Sequence, residues 1–590
     1  MDEDKGNCFV TIAVELIDKV YVHLPSKRSM YAVNPVQRLR LLERRLRRRQ
    51  PPLTERQFYN EMLSIFCQLR DLHTSFVLPE PFRSATAYLP FRLEVCVENG
   101  QRIYLVSDVS RKAPKHPGFE RGAQVTHWNG VAIDKAVALN AERESGSNAA
   151  ARLAQGLAAM TMRWLGQSVP PDEDWVDVRF HPARGARKAQ VARFRWRVFQ
   201  QKFDGDEHEV ARASWDSFHV GLDARGEVER FVRSQLFNRP LGTARASRRS
   251  ADDLPGMTSE IFPSCRNVTT PHGTFAYVRL ATFNVDDDEL FLRRFIDIVE
   301  RLSQDGLILD VRGNLGGLIT AGERLLQLLT PRAVEPCRFH FLNSPRTEQI
   351  TRRREFRAWN ESIGQAVETG ADLSQGLPLL PIERYNDIGQ KYQGPVVLVT
   401  DALCYSTTDI FAAGFQDNAI GTVLGVDANT GAGGANVWAY SVISNLVRQP
   451  GLLPRTLPDG ASFRFAVRRV TRVGRASGLP LEDFGVRPDE LHAFTRQDIL
   501  NRNADLIQHA ARLLAPMPKQ RLTVTAIGNQ TFRVTCANLD RVDAYVEGVP
   551  VSSMKAGSDP LTVRITKGRE LSLQGFRGKT LAAAARLPLR

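Results

Sequence analysis

Strand-like and helix-like segments alternate from Gly273 to about Leu514, and this alternation constrains the possible folds more than any other feature. The strand-like segments are TFAYVRLATF, LILDV, PVVLVTD and GTVLGVD, and the helix-like segments between them include ELFLRRFIDIVERL and TDIFAAGFQ. Short strands that are apolar throughout are typical of a parallel sheet with helices on both faces. The pattern therefore predicts an α/β core over residues 271–515.

The 590 residues are too many for one ordinary core, and the composition changes along the chain. Residues 1–85 have helical apolar spacing. Residues 86–200 contain short strands, and residues 516–590 return to strands separated by turn signals, which predicts a small C-terminal β-sandwich. Residues 201–270 are mixed and polar, with little to bury in ARASRRSADDLPG, so we predict an exposed connecting segment there.

The stretch PGFERGAQVTHWNGVAID, within residues 86–200, resembles part of a PDZ domain. It has the Pro-Gly, the short strand and the Asn-Gly turn of that fold. Asn129-Gly130 is a strong turn signal because both residues tolerate positive φ. The position of the glycine-rich carboxylate loop of a peptide-binding PDZ domain reads LPFRLEV here, without glycine. The resemblance implies a PDZ-like domain and leaves its binding role open.

The net charge of +14 has its densest basic run between Arg38 and Arg49, RLRLLERRLRRR. The leucines in this run recur at near-helical spacing, at Leu39, Leu41, Leu42 and Leu46. This spacing favours an amphipathic helix with solvated arginines over a nucleic-acid site. Since no nucleic-acid motif accompanies the run, we predict no nucleic-acid partner.

Cofactor, metal and membrane signals are missing from the sequence. The seven cysteines are scattered without a Cys-x-x-Cys pair, which argues against a zinc site or a disulfide framework. The sequence has no Walker loop or dinucleotide fingerprint, so we predict no cofactor and no metal. It has no apolar run of about 18 residues for a membrane span, and its acidic start lacks the basic region of a secretory signal. We therefore expect a cytoplasmic protein without a membrane partner.

Two segments that run from a strand into a turn carry residues of chemical interest. LILDVRGNLGG, which ends at Gly317, closes a buried strand with glycines that let backbone amides approach a ligand. GPVVLVTDALCYSTTDIF places Ser406 at a turn between a strand and a helix. Taken alone, Ser406 followed by Asp409 has the spacing of a helix capping box, in which the serine has a structural role only.

Together and in this order, the two segments resemble the signature of the tail-specific (C-terminal processing) and tricorn-type serine peptidases. That signature has a D-x-R-x-N-x-G-G turn, then a strand, then a Ser-x-x-Glu helix that ends in Gln-Asp. The matching residues are Asp310, Arg312, Asn314, Gly316, Gly317, Ser406, Asp409 in place of the usual Glu, Gln416 and Asp417. The resemblance covers roughly residues 270–495 and implies a crotonase-like peptidase core with Ser406 as nucleophile.

The residue that activates Ser406 distinguishes two branches of this family. The tail-specific branch uses a lysine after the next strand, and NTGAGGANVW places Ala432 at that position. The tricorn branch uses an N-terminal histidine and a downstream glutamate. RDLHTSFVLP presents His73 in the context of the family's histidine, and LPLEDFGVRPDE presents Glu482, with Asp483 as the alternative carboxylate.

The resemblance thus implies His73 as the general base. A serine hydroxyl is a weak nucleophile at neutral pH, and a neutral imidazole next to it can take its proton. Glu482 would then orient the imidazole and stabilise the imidazolium, directly or through a bridging hydroxyl such as that of Thr74.

The same resemblance implies an oxyanion hole built from the backbone amides of Thr407 and of Gly316 or Gly317. The implied activity is that of a serine endopeptidase that cleaves peptides or unfolded proteins through an acyl-enzyme. The missing lysine, Asp409 and the PDZ-like domain leave one alternative open, which is a catalytically silent protein of the same fold that binds or scaffolds other proteins.

Overall fold

The computed structural model has an α/β core, an N-terminal helical segment and two strand-rich domains. It describes residues 1–47, 53–184, 188–201, 219–222, 224–237, 253–447, 453–528, 530–557, 560–565 and 567–589.

The N-terminal segment consists of helices followed by a short strand. The elements are α1 (Glu3–Lys19), α2 (Leu24–Tyr31), α3 (Pro35–Arg47), α4 (Glu55–Cys67) and β1 (Ser75–Val77). The basic run forms α3, which buries three of its four leucines and leaves Leu41 48% exposed. The end of the run, residues 48–49, lies outside the described residues. The helices end at Cys67, earlier than predicted, and His73 lies in the turn between α4 and β1.

Residues 85–200 form a mainly antiparallel domain with its own hydrophobic cluster. The elements are β2 (Ala85–Tyr88), β3 (Phe91–Glu98), β4 (Gln101–Val109), β5 (Gln124–Trp128), β6 (Val131–Ala132), α5 (Ile133–Ala141), α6 (Ala149–Ala159), β7 (Met162–Trp164), β8 (Trp175–His181), β9 (Gln190–Arg195) and β10 (Arg197–Gln200). Strands β3, β4, β5, β8 and β9 form one sheet in that order, and β10, β2 and β7 form another. Asn129 and Gly130, with φ of 47° and 79°, make the predicted hairpin turn between β5 and β6.

The described part of residues 201–270 differs from the exposed connection predicted from its polar composition. It contributes β11 (Val220–Leu222), α7 (Ala224–Leu236) and β12 (Ser264–Thr270). Helix α7 buries paired charges, since Arg225 contacts both Glu229 and Glu144 and each of these side chains is at most 6% exposed. Paired charges let a polar sequence form a buried helix. Most of ARASRRSADDLPG lies outside the described residues.

The core is built on a central sheet. Its strands and their neighbours are β13 (Gly273–Arg279), β14 (Leu307–Asp310), β15 (Gly316–Leu318), β16 (Arg338–Phe341), β17 (Val396–Thr400), β18 (Thr422–Gly425), β19 (Ala435–Ala439), β20 (Ser462–Thr471) and β21 (Glu490–Leu491). The sheet order is β12, β13, β14, β17, β18, β21, with β12 antiparallel to β13 and every later pair parallel. This confirms the predicted α/β class. Because β12 pairs with β13, the core begins before residue 271.

Helices cover both faces of the central sheet. The elements are α8 (Asp288–Val299), α9 (Ile319–Gln327), α10 (Pro345–Thr351), α11 (Arg357–Thr369), α12 (Ile382–Tyr385), α13 (Thr407–Asp417), α14 (Tyr440–Leu446), α15 (Arg496–Leu500) and α16 (Ala504–Leu514). Alternate residues of β13 pack into different clusters: Phe275 and Tyr277 lie with α16, and Ala276 and Val278 with the opposite face. Among the described residues, no helix combines the length and apolar character that a membrane span needs.

A second sheet joins the N-terminal segment to the core. β1 pairs antiparallel with β20, with Phe76 opposite Phe463, and β20 also pairs with β16 and β19. The strand that directly follows His73 is therefore fixed by backbone hydrogen bonds to the core.

The C-terminal residues form two antiparallel sheets over a shared hydrophobic cluster. The strands are β22 (Arg521–Gly528), β23 (Thr531–Ala537), β24 (Arg541–Val546), β25 (Val549–Lys555), β26 (Leu561–Arg564), β27 (Glu570–Arg577) and β28 (Thr580–Pro588). One sheet has the order β22, β23, β26, and the other has the order β25, β24, β27, β28. No predicted site residue lies in this domain.

A buried ion pair fixes the turn that follows β14. Arg312 donates to both carboxylate oxygens of Asp310, at 3.0 and 2.8 Å, and the Tyr277 hydroxyl donates to the same carboxylate at 2.8 Å. Burial alone would raise the pKa of Asp310, but the guanidinium groups of Arg312 and Arg279 outweigh it and hold this pKa well below its ordinary value. The turn that leads to the paired glycines is thus held by charge.

Asp310→Asn should lower the free energy of unfolding at pH 7 by about 3 kcal/mol, because it leaves the partly buried guanidinium groups of Arg312 and Arg279 without this counter-charge. The Asp310 carboxylate stabilises the fold above the unfolded-state pKa of about 3.9, and this contribution is lost as the pH falls through the lowered folded-state pKa. Urea denaturation at pH 7 and pH 3 measures the difference. An equal stability of variant and wild type at pH 7 contradicts this assignment.

Candidate active site

Ser406 occupies a strained turn between β17 and α13. Its φ of 62° and ψ of −121° are unusual for a residue other than glycine, and its side chain makes no capping hydrogen bond. Asp409 is also not part of a capping box, since its carboxylate accepts a hydrogen bond from the Gly433 amide at 2.7 Å. The structural alternative for Ser406 is therefore wrong. Strain of this kind is typical of functional residues that the surrounding fold holds in place.

His73 is the direct partner of Ser406. Its Nε2 lies 2.8 Å from the Ser406 Oγ, and both side chains are fully buried. The His73 amide donates to Asp71 Oδ1 at 2.7 Å, and the ring lies against Tyr405, with 4.5 Å between ring centroids. The main chain and the ring face of His73 are thus both fixed.

Two carboxylates lie close to the imidazole of His73. One nitrogen of His73, one oxygen of Asp71 and one oxygen of Glu482 lie within 4.8 Å of one another. His73 Nδ1, Asp71 Oδ2 and Glu482 Oε2 are buried without a hydrogen-bond partner among the described residues. Asp483, the alternative to Glu482, instead accepts from the Tyr31 hydroxyl at 2.8 Å. The geometry favours Glu482 and adds Asp71, to which the sequence analysis gave no role.

Thr74 does not bridge His73 and Glu482. Its hydroxyl oxygen accepts from the Ala466 amide at 3.1 Å and is also hydrogen-bonded to Asp71. The predicted bridging role of Thr74 is therefore wrong, because its hydroxyl is committed to β20 and to Asp71.

Burial shifts the titration of each group in this cluster. It lowers the pKa of His73 well below the ordinary imidazole value, and the charge of Arg464 lowers it further. It also raises the pKa values of Asp71 and Glu482, and in both cases the ammonium of Lys27 opposes the rise. A neutral imidazole next to a serine hydroxyl is the protonation state that a general base needs.

Asp71, His73 and Glu482 together offer the donor set of a divalent metal site. Lys27 already supplies positive charge there, since its Nζ lies 2.8 Å from Glu482 Oε1. An ammonium in this position disfavours a second cation. We find no other group of three such side chains in the described part of the chain.

The paired glycines after β14 lie against the N-terminus of α13. Gly316 has φ of 94°, and a Cβ on it would lie 2.7 Å from the Ser406 Cβ and 2.9 Å from the Thr407 amide nitrogen. Gly317 has φ of 144°, and a Cβ there would overlap the backbone of Phe283 at 2.0 Å. Only glycine permits this close approach. The three predicted oxyanion donors are thus brought together, although the Gly316 amide already donates to Asn314 Oδ1 at 3.1 Å.

Strand β11 lies across this site. Gly221 pairs with Gly317, and the Thr407 hydroxyl lies 3.2 Å from the Gly221 carbonyl oxygen. The amide of Ile319 donates to the His219 carbonyl at 3.0 Å. This strand could not be predicted from the sequence, because its neighbours are polar and no motif marks it.

Comparison with known proteins identifies one domain of the chain and its fold. Residues 274–489 match the family described as Peptidase family S41. The crystal structure of mature CPAF is 15% identical, covers 86% of this chain and 96% of its own, and has a TM-score of 0.60. The complex of mature CPAF with lactacystin is 14% identical, covers 87% and 99%, and has a TM-score of 0.61. A mutant of CPAF is 14% identical, covers 88% and 98%, and has a TM-score of 0.64.

At these identities the likeness to CPAF shows a common fold alone. No curated protein matches the sequence. The match over residues 274–489 includes Ser406, Glu482 and the paired glycines, and it agrees with the resemblance found in the sequence. Residues 274–489 therefore form a domain that matches Peptidase family S41, and this match supports a serine peptidase.

Proposed function

We propose that this protein is an endopeptidase of the Ser-His-Glu branch, with Ser406 as nucleophile, His73 as general base and Glu482 as the orienting carboxylate. The observation that carries the proposal is the 2.8 Å contact between His73 Nε2 and Ser406 Oγ inside a buried site. This distance lies within the range required of a nucleophile and its base.

The reaction follows from this arrangement. Ser406 Oγ attacks the peptide carbonyl carbon while His73 Nε2 takes the hydroxyl proton. When the C–N bond breaks, the imidazolium returns that proton to the leaving amine. Water then attacks the acyl-enzyme ester with His73 again as base, which releases the new carboxylate and restores Ser406. Glu482 stabilises the imidazolium in both steps.

The oxyanion would be held by backbone amides at the start of α13. Thr407 and Gly317 are the better-supported donors, because the Gly316 amide is engaged by Asn314. Donors of this kind are worth about 100- to 1,000-fold in turnover each.

A lysine base has no support in this site. Ala432 stands at the position of the family's lysine, and its side chain is buried. The nearby buried lysine, Lys27, directs its Nζ to Glu482, to Asp483 and to the Arg70 carbonyl. His73 occupies the position next to the Ser406 hydroxyl instead.

The substrate would bind as an extended strand in the place of β11. An extended peptide can pair with β15, which contains the two glycines, in the way that Gly221 pairs with Gly317. Only an unfolded segment or a flexible peptide can adopt this conformation in a cleft. We therefore expect peptides and unfolded proteins as substrates.

The full burial of Ser406 favours one alternative, a catalytically silent protein that binds or scaffolds others. The strained φ of Ser406 and its contact with His73 favour the enzyme, because a silent protein gains nothing from either. A crotonase-like core, a PDZ-like fold for residues 86–200 and a cytoplasmic location are further parts of the proposal. The first rests on the family match and the second on the Asn129-Gly130 hairpin.

Ser406→Ala and His73→Ala should each lower turnover of an unstructured protein by about 10,000-fold or more, and the double variant should lose little beyond either. Glu482→Gln should cost less. The exposed His272→Ala is the matched control and should keep wild-type turnover. Near-normal turnover by His73→Ala, with Ser406→Ala inactive, would mean that another group is the base.

The pH dependence of kcat/KM should reflect the burial of His73. Only the neutral imidazole accepts the serine proton, and a lowered pKa keeps it neutral at more acidic pH. Activity should therefore persist at pH 6 and fall only well below the ordinary imidazole value of about 6.5. An acid limb centred above pH 7 contradicts this assignment.

Gly221→Ala should uncover the site. A Cβ at this position would lie 2.4 Å from Ser406 Oγ and 2.8 Å from the Ala435 carbonyl oxygen. The added methyl group should overpack the site at a cost of about 1–3 kcal/mol. This should raise the fraction of molecules in which β11 has moved away from Ser406. The rate at which a fluorophosphonate labels Ser406 should rise with it, roughly 5- to 150-fold. Gly364→Ala, where a Cβ meets nothing within 4 Å, is the control. If the probe labels wild type and Gly221→Ala equally, β11 does not cover the site. If it labels neither protein, the result supports the catalytically silent alternative.

A further inference from the structure

We propose that Lys27, on helix α2, is a positioning residue of the active site that holds Glu482 as an oriented carboxylate. The inference rests on the proposed Ser-His-Glu site and extends it to a residue outside the matched peptidase domain. Lys27 is fully buried, and its Nζ lies 2.8 Å from Glu482 Oε1 and 2.6 Å from Asp483 Oδ1. Its third contact is the Arg70 carbonyl oxygen at 3.2 Å.

The two oxygens of Glu482 differ in their contacts. Oε1 accepts from Lys27 and from the Ser147 hydroxyl, both at 2.8 Å. Oε2 has no hydrogen-bond partner among the described residues and lies 4.0 Å from His23 Nε2. One oxygen of Glu482 lies within 4.8 Å of a His73 nitrogen. Lys27 and Ser147 thus fix the carboxylate of Glu482 through one oxygen, next to His73.

The charges around Glu482 explain why a cation is needed. The titratable and charged groups that face it come from the N-terminal segment, the His73 turn, β20 and its own loop, and they are Tyr21, His23, Lys27, Asp71, His73, Arg469 and Asp483. Burial and the neighbouring charges of Asp71 and Asp483 all raise the pKa of Glu482. His23 stays neutral because burial and the charge of Lys27 lower its pKa.

In the described part of the chain, Lys27 is the one cationic side chain hydrogen-bonded to Glu482. A protonated Glu482 could not stabilise an imidazolium, so the reaction depends on this cation. An opposite charge at such a distance typically lowers a carboxyl pKa by about 1–3 units. Lys27 keeps its own proton because Glu482 and Asp483 outweigh the effect of burial and raise its pKa.

The test compares Lys27→Met with Lys27→Arg and with the half-exposed Lys19→Met as control. Lys27→Met should lower kcat/KM at pH 7 by about 100-fold, and its activity should rise at higher pH as Glu482 ionises. The acid limb should move upward, because Glu482 rather than His73 would then set it. Lys27→Arg should restore much of the activity and the wild-type limb, and Lys19→Met should leave both unchanged.

A purely structural role for Lys27 predicts a different result. Loss of α2 packing would lower the melting temperature and reduce activity equally at every pH, without moving the acid limb. The double variant Lys27→Met with Glu482→Gln separates the two cases, since it removes the charge of Lys27 together with that of Glu482. If Lys27 acts through Glu482, the double variant should be no less active than Glu482→Gln alone. The proposal is overturned if the activity losses of the two single variants multiply in the double variant. It is also overturned if Lys27→Met folds and its acid limb does not shift.

Failure of this proposal is distinguishable from failure of the proposed function. Ser406→Ala and His73→Ala are measured in the same assay. If both are inactive while folded Lys27→Met keeps the wild-type profile, the endopeptidase stands and the role of Lys27 is wrong. If Ser406→Ala keeps full activity, the proposed function itself is wrong.

Discussion

The pairing of β1 with β20 is the interaction on which the site depends. Ser406 and His73 are 333 positions apart, and they reach 2.8 Å because the strand after His73 is hydrogen-bonded to the core. Asp71 fixes the same turn through the His73 amide, and Tyr405 holds the ring. Nucleophile and base therefore sit on different segments whose relative position is set by backbone hydrogen bonds rather than by a flexible loop.

Much of the core and of the site could be predicted from the sequence, because both depend on local patterns. Apolar strands of the right length specify a parallel sheet, and the turns that carry Ser406 and the paired glycines have short, specific motifs. His73 and Glu482 were predicted from their neighbours in the sequence, and the structure places His73 next to Ser406 and Glu482 near His73. Their catalytic roles stay proposals, but the residues that the motifs single out do converge.

Other features could not be predicted because they depend on contacts distant in sequence. Lys27 belongs to no motif, and its role is visible only when α2 is packed against Glu482. Charged residues usually lie at the surface, yet a buried cluster is formed by Arg225, Glu229 and Glu144. Strand β11 could not be predicted for the same reason, since nothing in its composition indicates that Gly221 lies against Ser406. Polar composition predicts exposure only where charges lack partners.

The distribution of the site along the chain has a consequence for biosynthesis. A growing polypeptide emerges from the ribosome with its N-terminal part first. His73 then emerges early, Ser406 much later, and Glu482 after both. A nascent chain that ends before Glu482 lacks part of the proposed triad, so it could not cut its own unfinished polypeptide or those of neighbouring ribosomes.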